Sequence, residues 1–284
     1  MKDKRLFRII PRLDIKNGLL VKGINLEGLR ILGNPLDFAE EYSKSGADEI
    51  LYVDISATLT NTNNLTKHIK NTAKKMFIPL AVGGGIRKLE DIQNALRNGA
   101  DRIYMNTAAV YNPKIIREAV RIYGSSTICS NIEYIKFKDK YKICTSNGRD
   151  LVDIDPITWA KKLEKLGIGE ISLTSVNHEG LKLGCDIEMI KKISQQLKIP
   201  VLAHGGIGSY DDILNLYKKT KCSGVIISSL LHYKIVQNFN IKTYKLGNYE
   251  FLKKLKKSKK TKIKNCVNKI KNFLKKNGVL VAEN

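Results

Sequence analysis

The sequence predicts a single (β/α)8 barrel assembled from two duplicated half-barrels, and two observations carry that expectation. The first is an internal echo. Gly46-Ala47-Asp48-Glu49-Ile50-Leu51-Tyr52-Val53-Asp54 reappears as Gly167-Ile168-Gly169-Glu170-Ile171-Ser172-Leu173-Thr174-Ser175. Ile78-Pro79-Leu80-Ala81-Val82-Gly83-Gly84-Gly85-Ile86 reappears as Ile199-Pro200-Val201-Leu202-Ala203-His204-Gly205-Gly206-Ile207. Gly46 to Gly167 and Ile78 to Ile199 are the same separation, 121 residues, so a whole half is repeated rather than a short solenoid unit. The second observation is that short apolar runs alternate with amphipathic stretches throughout residues 7–237. A doubly wound open sheet would show the same alternation, but division into four-plus-four units favours a closed barrel.

The expected strands, in order, are 7–13, 49–54, 79–82, 102–105, 127–132, 170–173, 200–203 and 224–227. Each is short, apolar and bounded by turn-forming residues. Helix starts between them are marked by Asn34-Pro35, Asn112-Pro113 and Asp155-Pro156, which set a capping side chain before a proline suited to the first turn. Ser209 followed by Asp212 is a further N-cap with an acid in the first turn. Residues from about 239 to 262 have no strand pattern and read as a lysine-rich insertion before a final amphipathic helix over 263–276. The expected organisation is therefore one domain over residues 1–284 with that insertion.

A formal charge of +23 on 284 residues first suggests a nucleic-acid partner. Residues 242–276 hold fourteen lysines and one acid, leaving +10 for the rest. The lysine run 253–262 has no interleaved aromatics to stack on bases, so a solvated segment with salt-sensitive attraction to polyanions is expected, not specific nucleic-acid recognition. Cys129, Cys144, Cys185, Cys222 and Cys266 are odd in number and form no C-x-x-C pair, which points to reduced thiols of a cytoplasmic protein. No apolar run approaches the length of a membrane span, and the first residues do not lead into a signal-type core. His68, His178, His204 and His232 show no metal-ligand spacing, and no metal or cofactor is expected.

In such barrels the reacting groups sit at the C-terminal ends of the strands. Asp14 ends the first strand and Glu133 the fifth, roughly equivalent places in the two halves, so they are expected to face each other across the mouth. Two opposed carboxylates can divide the work of one acid and one base. Each half also places a glycine-rich turn after an apolar strand, where backbone N–H groups can face a phosphate. The first cluster is Gly83, Gly84 and Gly85 with Asn106 and Thr107, and the second is Gly205 and Gly206 with Ser228 and Ser229. Two such clusters suggest a ligand with a phosphate at each end. Asp54, ending the second strand, either orients neighbours or caps the following turn. Arg12, two residues before Asp14, points into the barrel by strand alternation and needs an anionic partner, for which Glu133 and Asp54 are candidates.

Asp14, Val82-Gly83-Gly84-Gly85-Ile86, Asn106-Thr107-Ala108-Ala109-Val110 and Gly169-Glu170-Ile171, in this order and spacing, make the chain resemble the cyclase (synthase) subunit family of imidazole glycerol phosphate synthase. The resemblance runs from about residue 6 to 237 and resumes over the final helix. It implies an enzyme that uses ammonia from a partner glutaminase docked on the N-terminal face. The acceptor is a bisphosphorylated ribulosyl-formimino aminoimidazole carboxamide ribonucleotide, cyclised and cleaved to imidazole glycerol phosphate and an aminoimidazole carboxamide ribonucleotide. By position, Asp14 matches the first catalytic carboxylate, Lys22 a loop lysine near the substrate, and Thr174 and Gly180 join the substrate-binding set. Arg8, Glu49, Arg102 and Glu170 match a charged ring where ammonia enters, and Asp101 an acid on the glutaminase-facing surface.

The chain departs from the family pattern at several places. Glu133 replaces the usual Asp; one methylene moves the carboxylate by about 1 Å, a misplacement that can cost roughly 10²-fold in rate. Asn177 and Glu179 replace acids after strand six, and Arg12 and His204 stand where small residues are expected. Two alternatives follow: a paralogous ammonia-using synthase paired with an amidotransferase in making amidino-modified surface sugars, and a non-enzymatic polyanion-binding protein.

Overall fold

The structure is a computed structural model, and it describes residues 5–57, 65–238 and 266–283. Eight parallel strands form a closed barrel: β1 (Arg8–Lys16), β4 (Ile50–Asp54), β5 (Leu80–Gly83), β6 (Arg102–Met105), β7 (Ile128–Phe137), β10 (Glu170–Ser175), β11 (Val201–His204) and β12 (Gly224–Ile227). Each pairs with the next, and β12 pairs back onto β1 through Arg8↔Gly224 and Ile10↔Ile226, which closes the ring. Helices lie between the strands in sequence, as the alternation predicts.

The caps explain where several helices begin. Asn34 accepts from the N–H of Leu36 at 3.1 Å and precedes the helix Pro35–Lys44. Asp155 accepts from the N–H of Thr158 at 2.8 Å before Pro156–Leu166. Ser209 and Asp212 form a reciprocal capping box at Tyr210–Lys219. Asn112 differs from expectation: Pro113 itself is the N-cap of Lys114–Tyr123, and no side chain caps that end. The final helix is described as Cys266–Lys276, and its Lys271 reaches Asp48 at 2.6 Å, tying it to the base of the barrel. The lysine-rich insertion at about 239–262 lies outside the described residues.

Four strands were not expected. β2 (Leu19–Ile24) and β3 (Glu27–Gly33) extend β1 as an antiparallel hairpin, and β8 (Lys140–Thr145) and β9 (Asp150–Val152) do the same for β7. The first hairpin turns at Asn17-Gly18, with φ of 50° and 75°, the conformation of a two-residue turn with both central residues left-handed. The duplication therefore includes the hairpins, and they place the two carboxylates. Asp14 pairs with Val53 of β4 on one side and Val21 of β2 on the other. Glu133 pairs with Thr174 of β10 and Cys144 of β8. Each acid sits where its strand leaves the barrel for its hairpin.

Side chains inside the barrel stack in layers because successive residues of a strand alternate between interior and exterior. Arg8, Glu49, Arg102 and Glu170 form the lowest layer. Above them Ile10, Leu51, Ala81, Tyr104, Cys129, Leu202 and Ile226, one from each of seven strands, make an apolar plug. A larger apolar shell fills the space between strands and helices, including Trp159, Phe38 and Tyr42. The polar residues of interest occupy the layers above the plug.

Candidate active site

Asp14 and Glu133 both stand at the C-terminal mouth, each only 5 % exposed. They do not line the same void. A cavity of about 320 Å³ opens beside Glu133, with Arg12, Gly83–Gly85, Arg87, Tyr104, Asn106, Thr107 and Asn131 among its walls. Asp14 reaches that cavity through Arg12, whose Nε donates to Asp14 Oδ1 at 2.8 Å. Asp14, rather than Glu133 or Asp54, is thus the direct partner of the buried guanidinium. Burial opposes the charge on Arg12, but Asp14, Glu133 and Glu179 together hold it firmly protonated.

The two carboxylates are joined by a chain of polar contacts. From Asp14 it passes to Arg12, then from Arg12 Nη1 to His204 Nδ1 at 3.4 Å, and from His204 Nδ1 to Thr174 Oγ1 at 3.1 Å. Thr174 Oγ1 donates to Asn131 Oδ1 at 2.9 Å, and Asn131 Nδ2 donates to Glu133 Oε1 at 3.4 Å. Because Arg12 can only donate, His204 Nδ1 is the acceptor and the ring proton belongs on Nε2, 3.5 Å from Glu179 Oε2. Thr174 has one proton, which goes to Asn131, so its 3.1 Å approach to His204 Nδ1 is a polar contact and not a hydrogen bond. Burial pushes His204 down to about 4, aided by the Arg12 and Lys22 charges and opposed by Glu179, so the ring is neutral at pH 7. Its contact with Glu179 is then a polar contact and not an ion pair.

Glu133 is the group whose protonation lies closest to neutrality. Burial pushes it up to about 7, while Arg12 and the N–H of Gly148, which donates to Oε2 at 3.0 Å, pull it down. Glu179 shows the opposite balance. Burial opposes its ionisation, but nearby cations hold it below the usual carboxylate range. With His204 neutral, the lasting cations there are Lys22, which donates directly to Glu179 Oε1, and Arg12. Lys22 is accordingly 2 % exposed and committed to Glu179; it lines neither cavity.

The glycine turns differ between the halves. Gly83, Gly84 and Gly85 border the large cavity together with Asn106 and Thr107. A Cβ on Gly84 (φ 85°) would lie 2.1 Å from the carbonyl oxygen of Asp54, so the turn is pressed against the end of β4. Asp54 itself caps that loop: its Oδ1 accepts from Ser56 N at 2.9 Å, Ser56 Oγ at 2.8 Å and Ala57 N at 3.0 Å. Gly180, Gly205, Gly206, Ser228 and Ser229 line a second cleft of only about 10 Å³, beside Glu179 and His204. That is room for about one water. Ser229 starts the helix Ser229–Asn238, so the N-terminal end of that helix borders this cleft. Thr174 lies in the polar chain, outside both voids.

At the opposite end the charged ring is fully connected. Arg8 donates to Glu170 Oε2 and lies 3.5 Å from Glu49; Arg102 is 2.7 Å from Glu170 Oε1 and 3.7 Å from Glu49. Burial pushes Glu49 up to about 7, with Arg102 opposing the rise. Asp101 is exposed, and its Oδ2 accepts from the N–H of Leu80 at 2.8 Å, fastening the start of β5.

Sequence reasoning missed Arg87, Asn131 and Tyr104 as wall residues. Alternation back from Glu133 points to Asn131, alternation up from Arg102 points to Tyr104, and Arg87 directly follows the first glycine turn. Asn177 is not part of the mouth; its Oδ1 accepts from the N–H of Lys136 at 2.7 Å.

Residues 8–237 match the family described as histidine biosynthesis protein. Among curated relatives, the imidazole glycerol phosphate synthase subunit HisF of Bacillus cereus (strain G9842) is 44% identical over 227 residues, covering 80% of this chain and 90% of the relative. The protein of the same name from Clostridium botulinum (strain Okra / Type B1) is 41% identical over 239 residues, 84% of this chain and 94% of the relative. That from Legionella pneumophila is 44% identical over 206 residues, 72% of this chain and 97% of the relative.

Proposed function

Because the chain belongs to the histidine biosynthesis protein family, we propose that the polar chain at its barrel mouth performs the cyclase reaction of imidazole glycerol phosphate synthase. The cyclase function in histidine biosynthesis is that of the curated relatives, which match over most of this chain. The observation that carries the assignment of chemistry is the pair Asp14 and Glu133, set at equivalent strand exits and linked through Arg12, His204, Thr174 and Asn131.

The acceptor is the bisphosphorylated ribulosyl-formimino aminoimidazole carboxamide ribonucleotide, with one phosphate at Gly83–Gly85 and the other at Gly205, Gly206 and the start of the helix Ser229–Asn238. Ammonia adds to the ketone carbon of the ribulosyl arm, and loss of water gives an imine. Glu133, near half protonation at neutral pH, gives its proton to the departing hydroxyl. Asp14 takes the proton from the attacking nitrogen through Oδ2, to which nothing donates among the described residues; Asp14 lines neither void, so this step requires Arg12 to shift from the cavity wall. Ring closure and cleavage then use the same two groups in reversed protonation. Filling the second cleft requires His204 or Lys182, both in its wall, to move outward.

The partner is a glutaminase subunit that delivers ammonia at the ring of Arg8, Glu49, Arg102 and Glu170. Phe77 supports docking on this face. It lies in the loop before β5, at the same end as the ring, and is fully exposed, as an apolar anchor for a partner would be. No helix among the described residues is long and apolar enough to cross a membrane.

The small second cleft favours one further reading, a surface-sugar acceptor carrying a single phosphate. The deciding experiment supplies the purified chain with an ammonium salt and the bisphosphorylated acceptor, and follows imidazole glycerol phosphate. Complementation of a histidine auxotroph lacking the cyclase checks it in cells. No product in either would transfer the assignment to the surface-sugar acceptor.

A further inference from the structure

Tyr104 occupies a place that neither the glycine turns nor the acid pair explains. It lies on β6 two residues above Arg102, points into the barrel and is 3 % exposed. Its hydroxyl donates to Glu170 Oε1 at 2.7 Å, in the charged ring, while the same residue belongs to the wall of the cavity beside Glu133. One residue therefore stands between the ring and the acceptor cavity. Its neighbours are small where it needs room: Gly83 is its register partner on β5, Cys129 its partner on β7, and Ala81 belongs to the same layer. A Cβ on Gly83 would sit 3.3 Å from Tyr104 Cβ, so the glycine there also makes space for the tyrosine. Ile10, Leu51, Leu202 and Ile226 are the other apolar members of the layer, to which β10 contributes none.

We propose that Tyr104 is a positioning residue that seals the barrel axis against water between the charged ring and the acceptor cavity, and that its hydroxyl latches Glu170 in the closed ring. The inference rests on the reading that ammonia enters at the ring. Ammonia must arrive unprotonated to be a nucleophile, and a water-filled axis would let it take up a proton or escape. Glu170 receives Arg8 on Oε2 and both Arg102 and Tyr104 on Oε1, so loss of the phenol removes one of three donors to a buried carboxylate. The phenol is held in its neutral form by burial, which suits a hydrogen-bond donor to that carboxylate.

The test uses the chain reconstituted with its glutaminase subunit, and reads the ratio of glutamine-driven to ammonium-driven turnover within each variant. Taking the ratio cancels any change in acceptor binding, since Tyr104 also lines the cavity. Tyr104→Phe keeps the ring packed and removes only the latch; Tyr104→Ser opens the axis. The ratio is expected to fall by roughly tenfold in Tyr104→Ser, with glutamine hydrolysis continuing unproductively, and to fall less in Tyr104→Phe. An unchanged ratio in both variants overturns the seal. A rise in Tyr104→Ser overturns it too, by showing the tyrosine to be an obstacle. Absence of ammonium-driven turnover in the unmodified chain is a different failure, that of the cyclase reading itself.

Discussion

Arg12 and Asp14, two residues apart on one strand, form a buried ion pair with Arg12 Nε 2.8 Å from Asp14 Oδ1. The same guanidinium lowers the proton affinity of Glu133 across the mouth, so one cation serves both acids. Replacing it should therefore shift the pH dependence as well as stability. In Arg12→Met, Glu133 loses its main stabilising charge and rises above about 7, while Asp14 and Glu179 still disfavour its ionisation. The alkaline limb of kcat/KM, expressed per free ammonia, should move to higher pH. A limb that moves down or stays fixed would separate Arg12 from Glu133. Breaking the buried pair should also cost about 3–5 kcal/mol in denaturant unfolding, and Arg12→Lys should recover part of both effects.

Glu133 makes a stability prediction with a definite sign. Its folded pKa of about 7 lies above the ordinary carboxylate value of 4.5. Between these two values the folded state binds more protons than the unfolded state, so stability contributed by the neutral form is present below the lower value and lost as pH rises through the higher one. Glu133→Gln removes the titration and keeps an acceptor for the Gly148 N–H. Its melting temperature relative to the unmodified chain should rise between pH 5 and pH 8. A difference that is flat with pH would show that Glu133 does not carry the shift.

The glycine turns are tight against the protein's own backbone. At Gly84 and Gly206 an added Cβ would approach the carbonyl oxygens of Asp54 and Gly184 to 2.1 and 2.0 Å. Both Gly84→Ala and Gly206→Ala should lower the melting temperature as well as weaken phosphate binding, because both positions also have positive φ, 85° and 92°. Crystals soaked in inorganic phosphate should show density at both turns. Density at neither would remove the bisphosphate assignment, and density at the first alone would favour a singly phosphorylated acceptor.

Phe77 offers a test of the partner face that leaves the mouth untouched. Its ring is fully exposed in the loop before β5, so Phe77→Asp should not disturb the core. Glutamine-driven turnover in the complex should drop by at least about tenfold, the loss of an interface anchor, while ammonium-driven turnover of the chain alone stays at its original level. Equal losses in both assays would place the effect on folding instead.

The eight barrel strands and most helix caps were legible because each depends on local chemistry: an apolar run between turn residues, or an Asn, Asp or Ser set just before a first turn. The hairpins after β1 and β7 were not read, although Asn17-Gly18 is a strong turn signal, because a hairpin that extends a barrel strand does not add a β-α unit. Asn112 failed as a cap because the helix Thr107–Tyr111 ends against it and the next helix starts two residues later, at Lys114, with Pro113 as its N-cap. At the mouth, alternation correctly turned Arg12 inward but could not choose its partner. Asp14 wins because it shares the strand face two residues on, whereas Asp54 spends its carboxylate on the N–H and hydroxyl groups of its own loop. Lys22 was placed near the substrate by position, yet it is bound to Glu179, one of the residues that depart from the family pattern. Such pairings join residues far apart in sequence, and no local pattern specifies them.

The most direct measurement of the acid–base pair is single-turnover cyclisation by Asp14→Asn with saturating ammonium salt, beside acceptor binding by calorimetry. Asn keeps the size of the side chain and an oxygen for Arg12 Nε, but cannot take a proton. Positioned proton transfer typically contributes about 10²–10⁴ in rate, so turnover should fall by that factor while the acceptor Kd changes by less than about tenfold. Unchanged turnover in a folded Asp14→Asn protein would contradict the assignment of Asp14 as the base.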